Sequence, residues 1–175
     1  MNRVKNLTKF LGIYLAFLIQ SLFLENLKMF SASPDIVLTL IVIFSVSMDF
    51  VPAAALGAFA GLLTDVMYES VFGINLLLYM YLALFVSIAA DKKNENSPLI
   101  MSWISFISIA ALEIVTAVLG AVLGRTIKIG VLCANVFVKG IFAAIFALLF
   151  VLIVQYIRKR KQKKSAQIPD EEVPK

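Results

Sequence analysis

The sequence predicts an all-α integral membrane protein with six transmembrane helices. Of its 175 residues, 61% are hydrophobic and 15% are charged, whereas a soluble domain is typically about half apolar and about a quarter charged. The excess lies in long apolar runs, and the longest, residues 131–157, contains a single charged residue, Lys139. A run of this length is typical of a transmembrane helix rather than of a helix in a soluble core.

Polar breaks and helix-start signals divide the chain into its predicted helices. Ser33-Pro34 and Ser97-Pro98 each place a capping hydroxyl before a proline at the first helical position. A tight turn marked by Asp49 and Pro52 separates the second and third helices. The predicted helices cover residues 9–24, 35–51, 53–68, 74–90, 98–123 and 131–157 of one domain, residues 1–164, and the polar residues 165–175 are predicted to form a disordered cytoplasmic tail.

Two parts of this prediction have an alternative. Arg3, Lys5 and Lys9 ahead of an apolar stretch resemble a signal peptide, but that stretch is long for a signal and Pro34 follows the small residues 31–33, so we expect a retained first helix. The second and third helices are near the lower limit of about 17 residues for a span. A re-entrant hairpin is the alternative for them.

The distribution of basic residues predicts that both termini lie in the cytoplasm. With this orientation, twelve lysines and arginines fall on the inner side, three fall on the outer side, and Lys139 lies within the membrane. Because cytoplasmic loops carry an excess of Lys and Arg, this distribution strongly favours the orientation. The loops are short throughout, so we expect no soluble catalytic domain on either side.

A basic run near the C-terminus accounts for much of the net charge of +5. Such a cluster attracts anionic lipid at roughly 1 kcal/mol per residue, and the plainer interpretation is a topology anchor. Because the charge is concentrated in this tail, it indicates membrane topology rather than nucleic-acid binding. The run contains Arg158, Lys159, Arg160, Lys161, Lys163 and Lys164.

The composition argues against an enzyme or a metalloprotein. Histidine is absent, which removes the commonest general base and the commonest metal ligand. The single cysteine, Cys133, lies in an apolar run and is expected to be a small buried side chain. No spacing indicates a Ser or Thr nucleophile beside an activating base. We therefore expect no catalytic residue, no metal and no cofactor.

A ridge of small residues is predicted on the third helix. Ala53, Gly57 and Gly61 recur every four residues and allow another helix backbone to approach closely. Asp65 lies one turn further on the same face. A carboxylate there needs a partner, a water path or a protein interface. We predict that these four residues form a packing site for a partner helix or for a second copy of the chain.

Polar residues are also predicted to gather in the outer half of the membrane. Glu113 and Lys139 lie on consecutive helices, about 15 and 12 Å from their outer ends, so they are the natural ion pair. The cluster is either a clasp that fixes helix register or a functional site, meaning a proton or ion path, a ligand pocket or a docking site. A proton relay is disfavoured, since no chain of acids leads inward. The predicted members are Asp65, Asn75, Glu113, Asn135 and Lys139.

Motifs in the first half of the chain resemble a known family. They are, in order, Pro34-Asp35, Gly57, Gly61, Leu62-Leu63-Thr64-Asp65, Gly73, Asn75 and Leu76. Together they resemble MreD, the bacterial rod shape-determining membrane protein family, which usually has Gly-Leu-hydrophobic-x-Asp where this chain has Gly61 to Asp65. The motifs cover about residues 34–90, and size, helix count and basic C-terminus extend the resemblance over the chain. Glu113 and Lys139 match no motif of the family.

The resemblance implies a non-enzymatic scaffold of the cell-elongation complex in the bacterial cell membrane, controlling cell shape and lateral peptidoglycan synthesis. It implies a single-pass MreC-type partner and, through it, MreB filaments, a RodA-type glycosyltransferase and a penicillin-binding transpeptidase. It also implies a six-helix fold related to the substrate-binding subunits of energy-coupling-factor transporters. A homodimer is a further expectation, through the same ridge.

Two other functions compete with the scaffold. The first is the substrate-binding subunit of an energy-coupling-factor transporter. Such subunits typically carry an Ala-x-x-x-Ala ridge in the first helix, whereas this first helix has a single alanine, Ala16. The second is an intramembrane enzyme, which the missing nucleophile–base spacing disfavours.

Overall fold

The chain folds into a bundle of α-helices. The computed structural model describes residues 2–24, 35–68, 72–90, 97–122, 124 and 129–165, and these contain no β-strand. In chain order the described helices are α1 (Asn2–Ile19, continued by a π-helical turn, Gln20–Leu24), α2 (Ile36–Val46), α3 (Phe50–Tyr68), α4 (Ile74–Ala89), α5 (Pro98–Val122) and α6 (Ile129–Ser165).

The helix bounds differ from the predicted ones in α1, α2, α3 and α6. α3 begins at Phe50 rather than at residue 53, so Pro52 lies in its first turn, where proline is tolerated, and not in the turn before it. α1 begins at Asn2, and α6 continues past the apolar residues to Ser165, because Lys, Arg and Gln are strong helix formers. α2 ends at Val46 rather than at residue 51. Residues 166–175 lie outside the described residues, so the disordered tail stays a prediction.

α2 is the central helix of the described bundle. It packs against α1, α3, α4, α5 and α6, and most of its side chains are buried. Its 11 residues extend about 16 Å at 1.5 Å per residue, which is about half of the 30 Å hydrocarbon core of a bilayer. α2 therefore fills only part of the bundle axis, and the longer α5 and α6 extend beyond it.

Among the described residues, three helices are long and apolar enough to cross a membrane: Phe50–Met67, Pro98–Val122 and Ile129–Ile157. The apolar segments Asn6–Leu22, Ile36–Val46 and Ile74–Ala89 are shorter. The described part of the chain is therefore all-helical and typical of a membrane protein, and six complete spans remain a proposal.

Candidate functional site: the α3–α4 interface and the polar helix ends

Gly57 and Gly61 lie where α3 meets the backbone of α4. A Cβ atom at Gly57 would overlap the carbonyl oxygen of Tyr79, and one at Gly61 would overlap the backbone of Asn75 and Leu76. Two helix backbones approach this closely only where the side chain is a hydrogen atom. Glycine is therefore required at both positions by the neighbouring helix.

The ridge of Ala53, Gly57 and Gly61 is thus buried, and α4 of the same chain occupies it at Gly57 and Gly61. This is the close helix approach that small residues permit. The neighbour is internal, however, where the sequence led us to expect a partner helix or a second copy. A partner helix that docks on the described part of the chain therefore needs a different face.

Asp65 lies at the end of this ridge and caps the first turn of α4. Its Oδ1 accepts a hydrogen bond from the backbone N–H of Asn75 at 3.0 Å. Its Oδ2 accepts from the N–H groups of Gly73 at 3.0 Å and Leu76 at 2.9 Å. These N–H groups have no acceptor within their own helix, and the positive end of the helix dipole stabilises the carboxylate. Asp65 is 2% exposed.

Gly73 explains why this cap comes from another helix. It is the residue before α4 and has a φ of 98°, in the left-handed region that favours glycine. Glycine has no side chain with which to accept a hydrogen bond, so the carboxylate of Asp65 on α3 supplies the acceptor. Asn75 enters the site through its backbone N–H, whereas the sequence prediction relied on its side chain.

Glu113 and Lys139 pair between α5 and α6. Lys139 Nζ donates to Glu113 Oε1 at 2.6 Å, which is the pairing that the sequence predicts. The two side chains are 17% and 25% exposed, respectively. Ala143, one turn after Lys139, lines a cavity of about 130 Å³ together with Asp35 at the start of α2. The ion pair therefore lies about one turn beyond α2 and is partly exposed, because no central helix covers it there.

The predicted polar cluster thus divides into two groups in the described structure. Asp65 and Asn75 meet between α3 and α4, and Glu113 and Lys139 meet between α5 and α6. Asn135 is half-buried one turn before Lys139, and within the described residues no polar contact joins it to either group.

Asp35 forms a further network that the sequence prediction missed. Its Oδ1 accepts from the N–H of Leu38 at 3.0 Å and from Gln20 Nε2 at 3.3 Å. Its Oδ2 accepts from the hydroxyl of Tyr79 at 3.2 Å. Asp35 after Pro34 is a local signal for a helix start. No local signal joins it to Gln20 on α1 or to Tyr79 on α4.

Lys9 binds the opposite end of α2. Its Nζ donates to the carbonyl oxygens of Phe44 and Ser47, both at 3.4 Å, and lies 6.0 Å from the centroid of the Phe44 ring. A cation at the C-terminus of a helix is stabilised by the helix dipole. Because Gln20 also accepts from the N–H of Val37 at 3.0 Å, α1 supplies polar contacts to both ends of α2.

The family model for the rod shape-determining protein MreD matches residues 4–159. The chain belongs to the MreD family. The matched range contains the small-residue ridge, the caps of α2 and α4, and the Glu113–Lys139 ion pair. Membership makes the protein a membrane component of rod-shape determination. Among curated proteins and among solved structures, no relative matches the chain.

A groove of about 620 Å³ opens between α4 and α5 of this MreD-family chain. Apart from Ser108 and the hydroxyl of Tyr81, its lining side chains are apolar. Large side chains at its sides are exposed, including Phe85 at 65% and Ile107 at 61%. Ala111, in contrast, leaves room along α5. The groove is therefore an uncovered apolar face next to small residues.

The basic run of the MreD-family chain is part of α6, which continues as a helix to Ser165. Lys159 and Arg160 are exposed. The guanidinium carbon of Arg160 lies 5.1 Å from the centroid of the Tyr156 ring. The other members of the run lie on the same helix and are Arg158, Lys161, Lys163 and Lys164.

Cys133 is exposed on α6, so the expectation of a buried side chain is wrong. Along α6 the first buried residue is Gly140, because the rest of the bundle does not cover the preceding turns. Among the described residues, no group of His, Cys, Asp or Glu side chains could hold a metal ion.

Proposed function

We propose that this MreD-family protein is a non-enzymatic membrane scaffold of the cell-elongation complex. In this role it binds a single-pass MreC-type protein. Through that partner it acts on MreB filaments, a RodA-type glycosyltransferase and a penicillin-binding transpeptidase, and so on cell shape and lateral peptidoglycan synthesis. Family membership supports the role in rod shape, and the partners follow from the resemblance.

One observation carries the scaffold proposal: the carboxylates inside the bundle are bound by groups of the same chain. The carboxylate of Asp65 accepts hydrogen bonds from three backbone N–H groups, and the carboxylate of Glu113 forms an ion pair with Lys139. The carboxylate of Asp35 accepts hydrogen bonds from a backbone N–H in the first turn of α2, from Gln20 and from Tyr79. Each carboxylate thus stabilises a helix end or a helix pair. An enzyme needs such groups directed at a substrate instead.

We further propose six transmembrane helices with both termini in the cytoplasm, since twelve basic residues then lie inside and three outside. In this orientation the starts of α2 and α4 face the outer half of the bilayer. Asp35, Asp65 and the Glu113–Lys139 pair then share that half. The relation to energy-coupling-factor subunits is part of this proposal and rests on the resemblance.

The groove between α4 and α5 is the face that we propose for the partner helix. Helices associate in membranes through close van der Waals packing, which small residues at the contact permit. Ser108, Ala111 and Ala90 supply such positions along the groove, and the exposed Phe85 and Ile107 flank them. The ridge on α3 does not offer this opportunity, because α4 already fills it.

Filling the groove tests this assignment. Ser108→Leu and Ala111→Phe place bulk in the groove, and Ala134→Phe is the matched control at an exposed position of α6 outside the groove. We expect the groove variants to lose the co-purified MreC-type partner and to leave a depleted strain round. The control variant retains both the partner and the rod shape. Partner recovery at the wild-type level from both groove variants contradicts the assignment.

A transporter substrate subunit is the competing function. Ala16, the single alanine of α1, packs against the hydrophobic core, so α1 lacks the Ala-x-x-x-Ala ridge that typically docks a coupling subunit. A small molecule that co-purifies with the chain and raises its Tm would favour the transporter over the scaffold.

A further inference from the structure

The basic end of α6 is a continuation of the membrane helix. The apolar span Ile129–Ile157 contains 29 residues, or about 43 Å of helix. That length matches the 40–45 Å of a bilayer with its headgroup regions. The helix then continues without a break to Ser165, so the basic residues begin at the aqueous edge of the membrane.

The composition of this extension prevents it from lying on the bilayer surface. An interfacial helix needs an apolar face to bury among the headgroups. Residues 158–165 contain six basic residues, one glutamine and one serine. Since successive residues of an α-helix are about 100° apart, basic positions occur on every side of it. The extension therefore projects from the membrane as a charged rod.

The two turns of the extension lie at different distances from the lipid. Arg160 lies against Tyr156, one turn back along α6, at the end of the apolar span. Lys163 and Lys164 follow Ile157 by six and seven residues, or about 9–10 Å. At physiological salt the Debye length is about 8 Å, and lipid attraction fades over that distance. Anionic lipid can therefore neutralise the first turn but acts weakly on the second.

We propose that the second turn, residues 161–164, docks an acidic surface of a cytoplasmic protein, while residues 158–160 contact the lipid headgroups. Charge complementarity selects the partner, since the extension has basic residues at helix positions on every side and contains no acidic residue. This inference rests on the proposed cytoplasmic position of the C-terminus and adds a second docking surface to the scaffold.

The test uses the full-length chain in nanodiscs of equal parts phosphatidylcholine and phosphatidylglycerol, with fluorescent poly-L-glutamate as the acidic probe at physiological salt. Lys163→Gln with Lys164→Gln removes two charges from the second turn, and Arg158→Gln with Lys159→Gln removes two from the first. We expect the second-turn pair to weaken probe binding about fivefold and the first-turn pair less than about twofold. Equal losses from the two pairs overturn the proposal.

Two further measurements separate the protein partner from the membrane. The first compares wild-type binding of poly-L-glutamate in discs of phosphatidylcholine alone with binding in discs that also contain phosphatidylglycerol. If the anionic lipid neutralises the whole basic run, binding occurs only in the discs without phosphatidylglycerol, and the proposal fails. Gln162→Pro keeps every charge but kinks the helix, which lets the second turn fold onto the headgroups. We expect this variant to weaken probe binding only in discs that contain phosphatidylglycerol. If the variant binds the probe equally in both disc types, a straight helical extension is not what keeps the second turn away from the headgroups. Nanodiscs expose both membrane faces, so these results do not depend on the orientation or on the partner at the α4–α5 groove.

Discussion

Lys9 and Gln20 of α1 bind opposite ends of α2. Lys9 donates to the last carbonyl groups of α2, and Gln20 accepts from the N–H of Val37 in its first turn. Lys9 and Gln20 are eleven positions apart, and α2 is 11 residues long, so both distances are about 16 Å. The spacing of Lys9 and Gln20 thus matches the length of the helix that they cap.

We expect Gln20→Leu to destabilise the protein by about 1–3 kcal/mol, since it leaves the N–H of Val37 without an acceptor and removes one of the three donors to the carboxylate of Asp35. The measurement is the Tm of the purified chain in detergent. Tyr14→Phe, at an exposed position of the same helix, is the control and leaves the Tm unchanged. A wild-type Tm for Gln20→Leu contradicts the capping role.

Asp65→Ala removes the acceptor of three backbone hydrogen bonds, and we expect a loss of about 3 kcal/mol or more. Asp65→Asn keeps one carbonyl oxygen, so we expect a smaller loss, on the order of half. Thermal unfolding of both variants gives the order. If the alanine and asparagine variants are equally stable, the three bonds do not hold the start of α4.

The backbone contacts at Gly57 and Gly61 predict strong destabilisation by a single methyl group. We expect Gly57→Ala and Gly61→Ala each to cost about 1–3 kcal/mol, because overpacking forces backbone shifts. Gly12 provides the control: a Cβ there meets only the Phe44 ring at 3.7 Å. Gly12→Ala is therefore neutral or stabilising by up to about 1 kcal/mol. Unfolding in detergent without the partner separates this effect from a loss of partner binding.

The Glu113–Lys139 pair predicts that mutations at the two positions have non-additive effects on the free energy of unfolding. Glu113→Gln and Lys139→Met each leave an uncompensated charge in the membrane, and we expect each to cost about 3–5 kcal/mol. The double variant removes both charges and is expected to be more stable than either single variant. Unfolding free energies of the three variants complete a double-mutant cycle. Simple additivity of the two single losses shows that the pair is not coupled.

The sequence predicted the helical segments and the close packing at Gly57 and Gly61, because these depend on local composition and spacing. It did not predict which helix fills the ridge, since small residues permit an approach without selecting the neighbour. The Glu113–Lys139 pairing was predictable because charges in adjacent apolar helices have few partners. The Asp35 network was not, because Gln20 and Tyr79 are separated from Asp35 by 15 and 44 residues.

The end of α2 shows a second limit. The apolar run continues to Met48 without a proline, a glycine or a charge, so no local pattern marks Val46 as the last helical residue. Lys9 binds the carbonyl groups there from a distant part of the chain. The basic end of α6 shows the reverse case. The sequence prediction ended the sixth helix at residue 157, whereas strong helix propensity continues it to Ser165.

The caps of α2 and α4 also bear on biogenesis. α1 leaves the ribosome before α2, so Lys9 and Gln20 are synthesised before the helix ends that they bind. In the same way α3 precedes α4, so Asp65 is synthesised before the start of α4. A short helix with exposed polar ends enters the bilayer at high cost, but here the residues that cap it come earlier in the chain. With the proposed six-helix topology, we expect the helices to insert in pairs, each earlier helix supplying the caps of the next.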